Sequence, residues 1–512
     1  MGQAKFWAVI EVGSKHLSLC IWQQTKKGAK RLDLVRESLG LGADCYRQGA
    51  VGEDSIRACC HCLQAFRRKL EEYGISVPER VVATSALREA KNREAVCYRI
   101  YEQSGFEVEI LDASEELGLR MQALWAQLRE EQPEAEQKDY AIWDVGAGSL
   151  HLSQINAGHL VAGRSEALGA LRLSTLYERL KLSSQQPLAT LRAAIQNQLA
   201  ALPQAPGGRV GRELIFLSEE GFYLKRLLGY KKAVAQLSRR DLSQLIDILL
   251  HSQEAELAYS YDIDPATCRL LLPTCLIMEA GLQYSGAETC QLPNLDLCAA
   301  LIYVQGLGRK EEALQRRWLC IDVAWQQARQ FGLNGAQLAC RLGHIQRLWP
   351  KLARGAGLEA QDQLYCELAG LLMSLGLALR SKGYSRLSYD LIRQLELPGI
   401  SAAAQEEIAT IARLATEDSL RYKYLEKLAL PRQRSALISA LVLRLAAALS
   451  SSGQLSAEDL AISRKNDVLQ IQLPAGAGCD WERLQALAEA RNWRGNLGLS
   501  LHLHELSTER RT

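Results

Sequence analysis

The sequence predicts an α/β N-terminal half made of two duplicated lobes, then a mostly α C-terminal half that ends in a small α/β domain. Three observations carry this. Three apolar or alternating segments around a Gly-Ser turn open the chain, and the same arrangement recurs near residue 140. Each set is followed by amphipathic helical patterns. From residue 309 to 449 helical periodicity dominates, and strand patterns return only at 468–473 and 499–504.

In the first copy, residues 6–12, 17–23 and 31–38 read as strands separated by Gly13-Ser14 and Lys26-Lys27-Gly28, an antiparallel meander. Residues 53–73 carry Ile56, Cys60, Leu63, Phe66 and Leu70 at helical spacing. A short strand at 80–84, a helix at 92–103 and a strand at 107–111 follow. Ser114 offers an N-cap for the next helix, with Glu115 and Glu116 in its first turn. The second copy has strands at 140–145, 150–156 and 159–166 around Gly146-Ala147-Gly148-Ser149. Helices at 170–180 and 187–202, a strand at 213–217 and a mostly helical stretch from 239 to 302 complete it. Two such lobes facing each other form the phosphate-binding cleft of the actin-like, sugar-kinase and heat-shock ATPase superfold, whose duplicated lobes are ribonuclease H-like. Glycines let a hairpin backbone approach a phosphate, and successive N–H groups make an anion nest. An acidic residue just before the turn can hold a divalent cation or orient water. The expected domains are lobe I at 1–130, lobe II at 131–307, a helical domain at 308–455 and a small α/β domain at 456–512.

The composition is that of a soluble globular protein: 48% of the 512 residues are hydrophobic and 23% charged. With 61 Lys and Arg against 58 Asp and Glu, the formal charge of +3 gives no field for sequence-independent nucleic-acid binding. No apolar run reaches transmembrane length, and residues 1–7 do not read as a secretory signal, so a cytoplasmic location is expected, with no membrane partner. The 14 cysteines then read as thiols. Cys59, Cys60, His61 and Cys62 fall in a helical pattern with no second ligand pair, which favours a core role over zinc.

Four segments resemble the bacterial exopolyphosphatase / guanosine pentaphosphate phosphohydrolase family in its long form. They are Val9-Ile10-Glu11-Val12-Gly13-Ser14; Ala83 through Asn92, the most specific; Ser114-Glu115-Glu116; and Asp144 through Ser149 with Leu168-Gly169-Ala170-Leu171-Arg172-Leu173. The resemblance implies removal of a terminal phosphoryl group from inorganic polyphosphate or a guanosine pentaphosphate 5′-tail. It assigns Glu115 as general base, and Asp144 with Glu11 as ligands of Mg²⁺ or Mn²⁺. Gly13, Ser14, Gly146, Gly148 and Ser149 would bind phosphate oxygens through backbone N–H groups, and Arg88 would clamp a phosphate. It also implies a homodimer.

The departures fall on the chemistry. The family's usual Asp-Leu-Gly-Ser-Asn-Ser is Glu11-Val12-Gly13-Ser14-Lys15-His16 here, and His151 stands where a metal-proximal Glu is usual; imidazole suits Mg²⁺ poorly. A Gly-Thr-rich third loop is replaced by Ser218-Glu219-Glu220-Gly221-Phe222. The helical domain resembles a His-Asp metal phosphohydrolase module, but no ligand type stands at the matching positions Gly335, Met373-Ser374, 384–387, Ala415 and Ala447 or Ser450. A structural or partner-binding role is expected there. Arg309-Lys310, Arg316-Arg317 and Lys382-Arg386 are candidates for a cationic track. Two readings follow: a hydrolase with a degenerate site, or an impaired relative that binds polyphosphate, an alarmone nucleotide or a protein as sensor or scaffold. An actin-fold kinase or ATPase ranks third.

Overall fold

The computed structural model describes residues 5–25, 28–201, 213–230, 234–307, 309–353, 356–417, 421–489 and 491–505. The chain divides into two compact units, 1–312 and 313–512, so the division falls a few residues beyond the expected 307.

In lobe I the strands are β1 (Phe6–Val12), β2 (His16–Thr25), β3 (Gly28–Ser38), β4 (Arg80–Ala83) and β5 (Glu109–Ile110). Their order is β3-β2-β1-β4-β5, with the first three antiparallel and β1, β4 and β5 parallel. The helices are α1 (Leu41–Gln48), α2 (Glu53–Glu72), α3 (Ser85–Glu89), α4 (Arg93–Ser104) and α5 (Ala113–Glu131). One core contains Ile10, Leu19, Leu63, Phe66 and Ile100, from the sheet and from α2 and α4. Cys59 and Cys60 belong to it.

Lobe II repeats the plan. Its strands are β6 (Tyr140–Val145), β7 (Leu150–Asn156), β8 (His159–Glu166), β9 (Glu213–Ser218), β10 (Ala235–Ser238) and β11 (Thr289–Leu292), in the order β10-β11-β9-β6-β7-β8. Strands β8-β7-β6 are antiparallel and β6-β9-β11 parallel, as β3-β2-β1 and β1-β4-β5 are; β10 is an antiparallel addition. The shared order and direction make the N-terminal unit an actin-like duplication. Strands β10 and β11 were not expected from sequence, being only four residues each within helical surroundings. The helices are α6 (Ala170–Ser183), α7 (Pro187–Ala200), α8 (Gly221–Leu227), α9 (Arg239–His251), α10 (Glu254–Tyr261), α11 (Pro265–Ser285) and α12 (Leu297–Gly306). Helix α12, expected in lobe II, packs its Leu297, Leu301 and Ile302 with Trp7, Val9 and Leu119 of lobe I. It is apolar nearly all round, so it is stable only when covered.

The second unit carries α13 (Arg309–Gln330, which begins just before it), α14 (Gly335–Leu352), α15 (Ala360–Leu372), α16 (Tyr384–Ile392), α17 (Ala402–Thr416) and α18 (Leu430–Leu449). Leu368, Ile408, Ile411, Leu441 and Leu445 are buried there. A three-stranded sheet of β12 (Ala461–Lys465), β13 (Val468–Leu473) and β14 (Ser500–Glu505) closes the unit with α19 (Trp481–Glu489) and α20 (Arg491–Leu497). Among the described residues no group of three or more His, Cys, Asp or Glu could hold a metal ion. His344 is fully buried, and burial pushes it down to about 4, so it is a neutral core histidine. Of the expected cationic track, Arg316 donates to Gly399 O at 3.3 Å and Arg317 pairs with buried Glu367. The side chains of Arg309 and Lys310 lie outside the described set. No helix among the described residues is long and apolar enough to cross a membrane.

Candidate functional site

Two hairpins, one per lobe, line a single cleft. The β1–β2 hairpin is closed by Gly13 N–H to His16 O at 2.9 Å, and the β6–β7 hairpin by Gly146 N–H to Ser149 O at 2.9 Å. A helix start steadies each tip: Gly42 N–H donates to Ser14 O at 2.8 Å, and Leu171 N–H to Ala147 O at 2.9 Å. The N–H groups of Gly13 and Gly146 are therefore spent on closing their own turns, contrary to the expectation that they bind phosphate. Those of Ser14, Lys15, Ala147, Gly148 and Ser149 have no acceptor among the described residues.

The cleft is lined by Glu11, Gly13, Ser14, Lys15, His16, Thr84, Ser85, Glu116, Arg120, Val145, Gly146, Ala147, Ser149, Glu219 and Glu220. Glu115, Arg88, Asp144, Gly148 and His151 are not among them. Glu115, the expected base, sits at the start of α5. Asp112, not Ser114, caps α5, and its N–H donates to Glu115 Oε2 at 3.2 Å in a capping box. The carboxylate that faces the cleft is Glu116. One residue is about 100° on a helix, enough to decide which of two adjacent acids points inward.

Arg88 has partners within the protein. Its Nη1 donates to Leu111 O at 2.8 Å and to Glu116 Oε2 at 3.2 Å, so it positions Glu116. Arg120, one turn further along α5, lies 3.8 Å from Glu116 Oε1 and 3.2 Å from Asp144 Oδ2. All three side chains are buried. Burial alone would raise the Glu116 carboxyl, but neighbouring cationic charge outweighs it and holds it below the usual range. Burial pushes His151 down, leaving it neutral at pH 7, so the lasting cations beside Glu116 are Arg120 and Arg88. His151 faces Asp144 across the β6–β7 ladder and shares a hydrogen bond with Ser149 Oγ at 3.2 Å. Asp144 is raised by burial, against the pull of Arg120.

Glu11 occupies the matching place in lobe I, two residues before its hairpin glycine. Burial and the charge of Glu219 push it up to about 8, so it is protonated at neutral pH. Asp144 and Glu116 share one guanidinium, that of Arg120. Among the described residues no suitable group of ligand side chains exists.

Two departures noted in the sequence turn out to be partners. Lys15 Nζ, from the first hairpin, pairs with Glu220 Oε1, from the loop after β9, at 3.1 Å. Both are buried, and their charges hold each other ionised against burial. Tyr46 of α1 also reaches across. Its Oη sits 3.0 Å from Ser14 Oγ and 2.9 Å from Ser85 Oγ, and its ring lies under the Arg172 guanidinium at 4.1 Å. Arg172 donates to Gly148 O at 2.6 Å. A Cβ on Gly148 would lie 1.9 Å from Tyr46 Oη, so any larger residue there requires the tyrosine to shift.

Glu116, Arg120 and Tyr46 had no role in the sequence reading, and Glu220 entered it only as a departure in the third loop. A charged i, i+4 pair that opens and interrupts the mostly apolar stretch 116–128 was the available signal for the first two. Tyr46 lies on a helix that the sequence did not reveal.

Residues 24–283 match the model of the Ppx/GppA phosphatase family. The chain belongs to that family. Residues 336–490 match the model of Ppx/GppA phosphatase domain III. The Ppx/GppA match to the N-terminal unit begins after the first hairpin, where Glu11, Lys15 and His16 depart from the usual pattern. A guanosine-5′-triphosphate,3′-diphosphate pyrophosphatase of Vibrio vulnificus is 21% identical over an alignment of 509 residues that covers 93% of each chain. The crystal structure of an exopolyphosphatase-like protein superposes with a TM-score of 0.51 at 19% identity, covering 60% of this chain and 98% of its own. The Aquifex aeolicus Ppx/GppA member gives 0.49 at 16% identity, covering 59% and 97%.

Proposed function

We propose that the N-terminal unit hydrolyses a phosphoanhydride, taking the terminal phosphoryl group of inorganic polyphosphate or of a guanosine pentaphosphate 5′-tail to water. The observation that carries the reading is the pair of hairpin tips, with open N–H groups, facing one cleft that also holds a buried ionised glutamate. Membership of a phosphatase family supports it, as do relatives named for polyphosphate and guanosine polyphosphate substrates. In this reading the N–H groups of Ser14, Lys15, Ala147 and Ser149 hold phosphoryl oxygens, which need fixed donors as charge spreads over them. Glu116 orients the attacking water and takes its proton while the bond to the leaving phosphate oxygen breaks. Arg88 keeps Glu116 ionised and aimed. No step is routed through a metal.

The second reading, binding without turnover as a sensor or scaffold, is favoured by the Lys15–Glu220 pair. It ties the hairpin of one lobe to the third loop of the other and spends a cation that would otherwise meet an anion. Phosphate release from polyphosphate by the full chain separates the two. Release that Glu116→Gln abolishes and Glu115→Gln spares supports hydrolysis. Saturable binding of polyphosphate without release supports the second reading, and neither binding nor release overturns both. The homodimer and the cytoplasmic location belong to the same proposal.

A further inference from the structure

We infer that the guanidinium of Arg120 is the resident cation of the cleft: it takes the place between Glu116 and Asp144 that a divalent ion would need, and the cleft excludes such an ion. Arg120 and Glu116 are one helical turn apart on α5, so the same backbone that aims the glutamate at the cleft delivers the arginine beside it. The guanidinium lies 3.2 Å from Asp144 and 3.8 Å from Glu116, and all three groups are nearly sealed from solvent.

Burying a guanidinium is costly unless carboxylates compensate it, and here two do. Neither Asp144 oxygen has a hydrogen-bond partner among the described residues, and neither has Arg120 Nε; what joins the two side chains is an ion pair at 3.2 Å, so Arg120 is the cation this aspartate faces. A divalent ion entering between the two acids would meet a fixed positive charge at contact distance. An arginine cannot shed its proton to make room. The inference rests on the cleft being the site of the proposed function, but its readout is metal occupancy and does not depend on turnover.

The test is titration of the full chain with Mn²⁺ alone, followed by electron paramagnetic resonance of the free ion, on the wild type, Arg120→Gln, Arg120→Lys and Asp144→Asn. The expected result is no wild-type site in the micromolar range and none in Arg120→Lys, which keeps the charge. Arg120→Gln should gain a site at least about tenfold tighter than any wild-type binding, because buried Asp144 is left without its cation and Glu116 keeps only Arg88. A micromolar wild-type site that Asp144→Asn abolishes overturns the inference, and this arm stands even if Arg120→Gln does not fold. A folded Arg120→Gln that gains no site also overturns it, because the arginine would not then be what excludes the ion.

Discussion

The two lobes carry the same hairpin on the same strand order and give its acid opposite fates. Glu11 and Asp144 each sit two residues before a glycine whose N–H closes the turn at 2.9 Å. Asp144 faces a guanidinium at 3.2 Å, while Glu11 has the Cys298 thiol at 3.7 Å, and the pull of Arg120 on it is smaller than the effects of burial and of Glu219. One is an acid held in an ion pair, the other an acid kept protonated. Backbone duplication therefore does not duplicate electrostatics: the charge of a buried acid is set by side chains from other elements, here α5 and the loop after β9.

The largest test of this contrast removes the acids one at a time. Asp144→Asn leaves Arg120 without its nearest counter-charge and should cost about 3–5 kcal/mol in urea unfolding. Glu11→Gln should not destabilise near neutral pH; equal losses at both positions would mean the lobes are electrostatically alike. Next comes the asymmetry within α5. Glu116→Gln should lower phosphate release at least about 100-fold. Glu115→Gln should leave the rate near wild type and cost only about 0.5–1 kcal/mol of stability as a lost cap. The reverse result would return the base to Glu115.

The hairpin glycines also differ. Gly148→Ala meets Tyr46 Oη at 1.9 Å, whereas the nearest atom to a Cβ on Gly146 is 3.5 Å away. The first substitution should cost about 1–3 kcal/mol and be partly rescued by Tyr46→Phe, while Gly146→Ala should be mild. The smallest effect is a pH dependence. Folded Glu11 keeps its proton up to about 8, against 4.5 when unperturbed. Between those values the folded chain binds more protons than the unfolded one, so stability falls as pH rises. Glu11→Gln should flatten the urea midpoint across that window and add on the order of 1–2 kcal/mol at its upper end. An unchanged slope would place Glu11 in an ordinary, ionised state.

Much of the fold was legible because strand and helix periods are local. The duplicated three-strand hairpins, the long helix α2 and the helical C-terminal half all follow from apolar spacing. Strands β10 and β11 escaped notice because four residues carry little periodicity, and α12 was assigned to the wrong lobe because chain order does not say which face an apolar helix covers. In the site, residue types were legible and their roles were not. Glu115 and Glu116 look alike in sequence, Arg88 reads equally well as clamp or spacer, and Lys15 and Glu220, 205 residues apart, show no sign of each other.

By itself, then, the order of residues determined the two glycine turns, the acid ahead of each and the helix that carries Glu116 and Arg120, since these depend on near neighbours. Only the tertiary structure decided which acid faces the cleft, which is paired and which stays protonated. Those outcomes depend on charges brought within 3–4 Å by chain segments far apart in sequence, and on burial that makes such charges count.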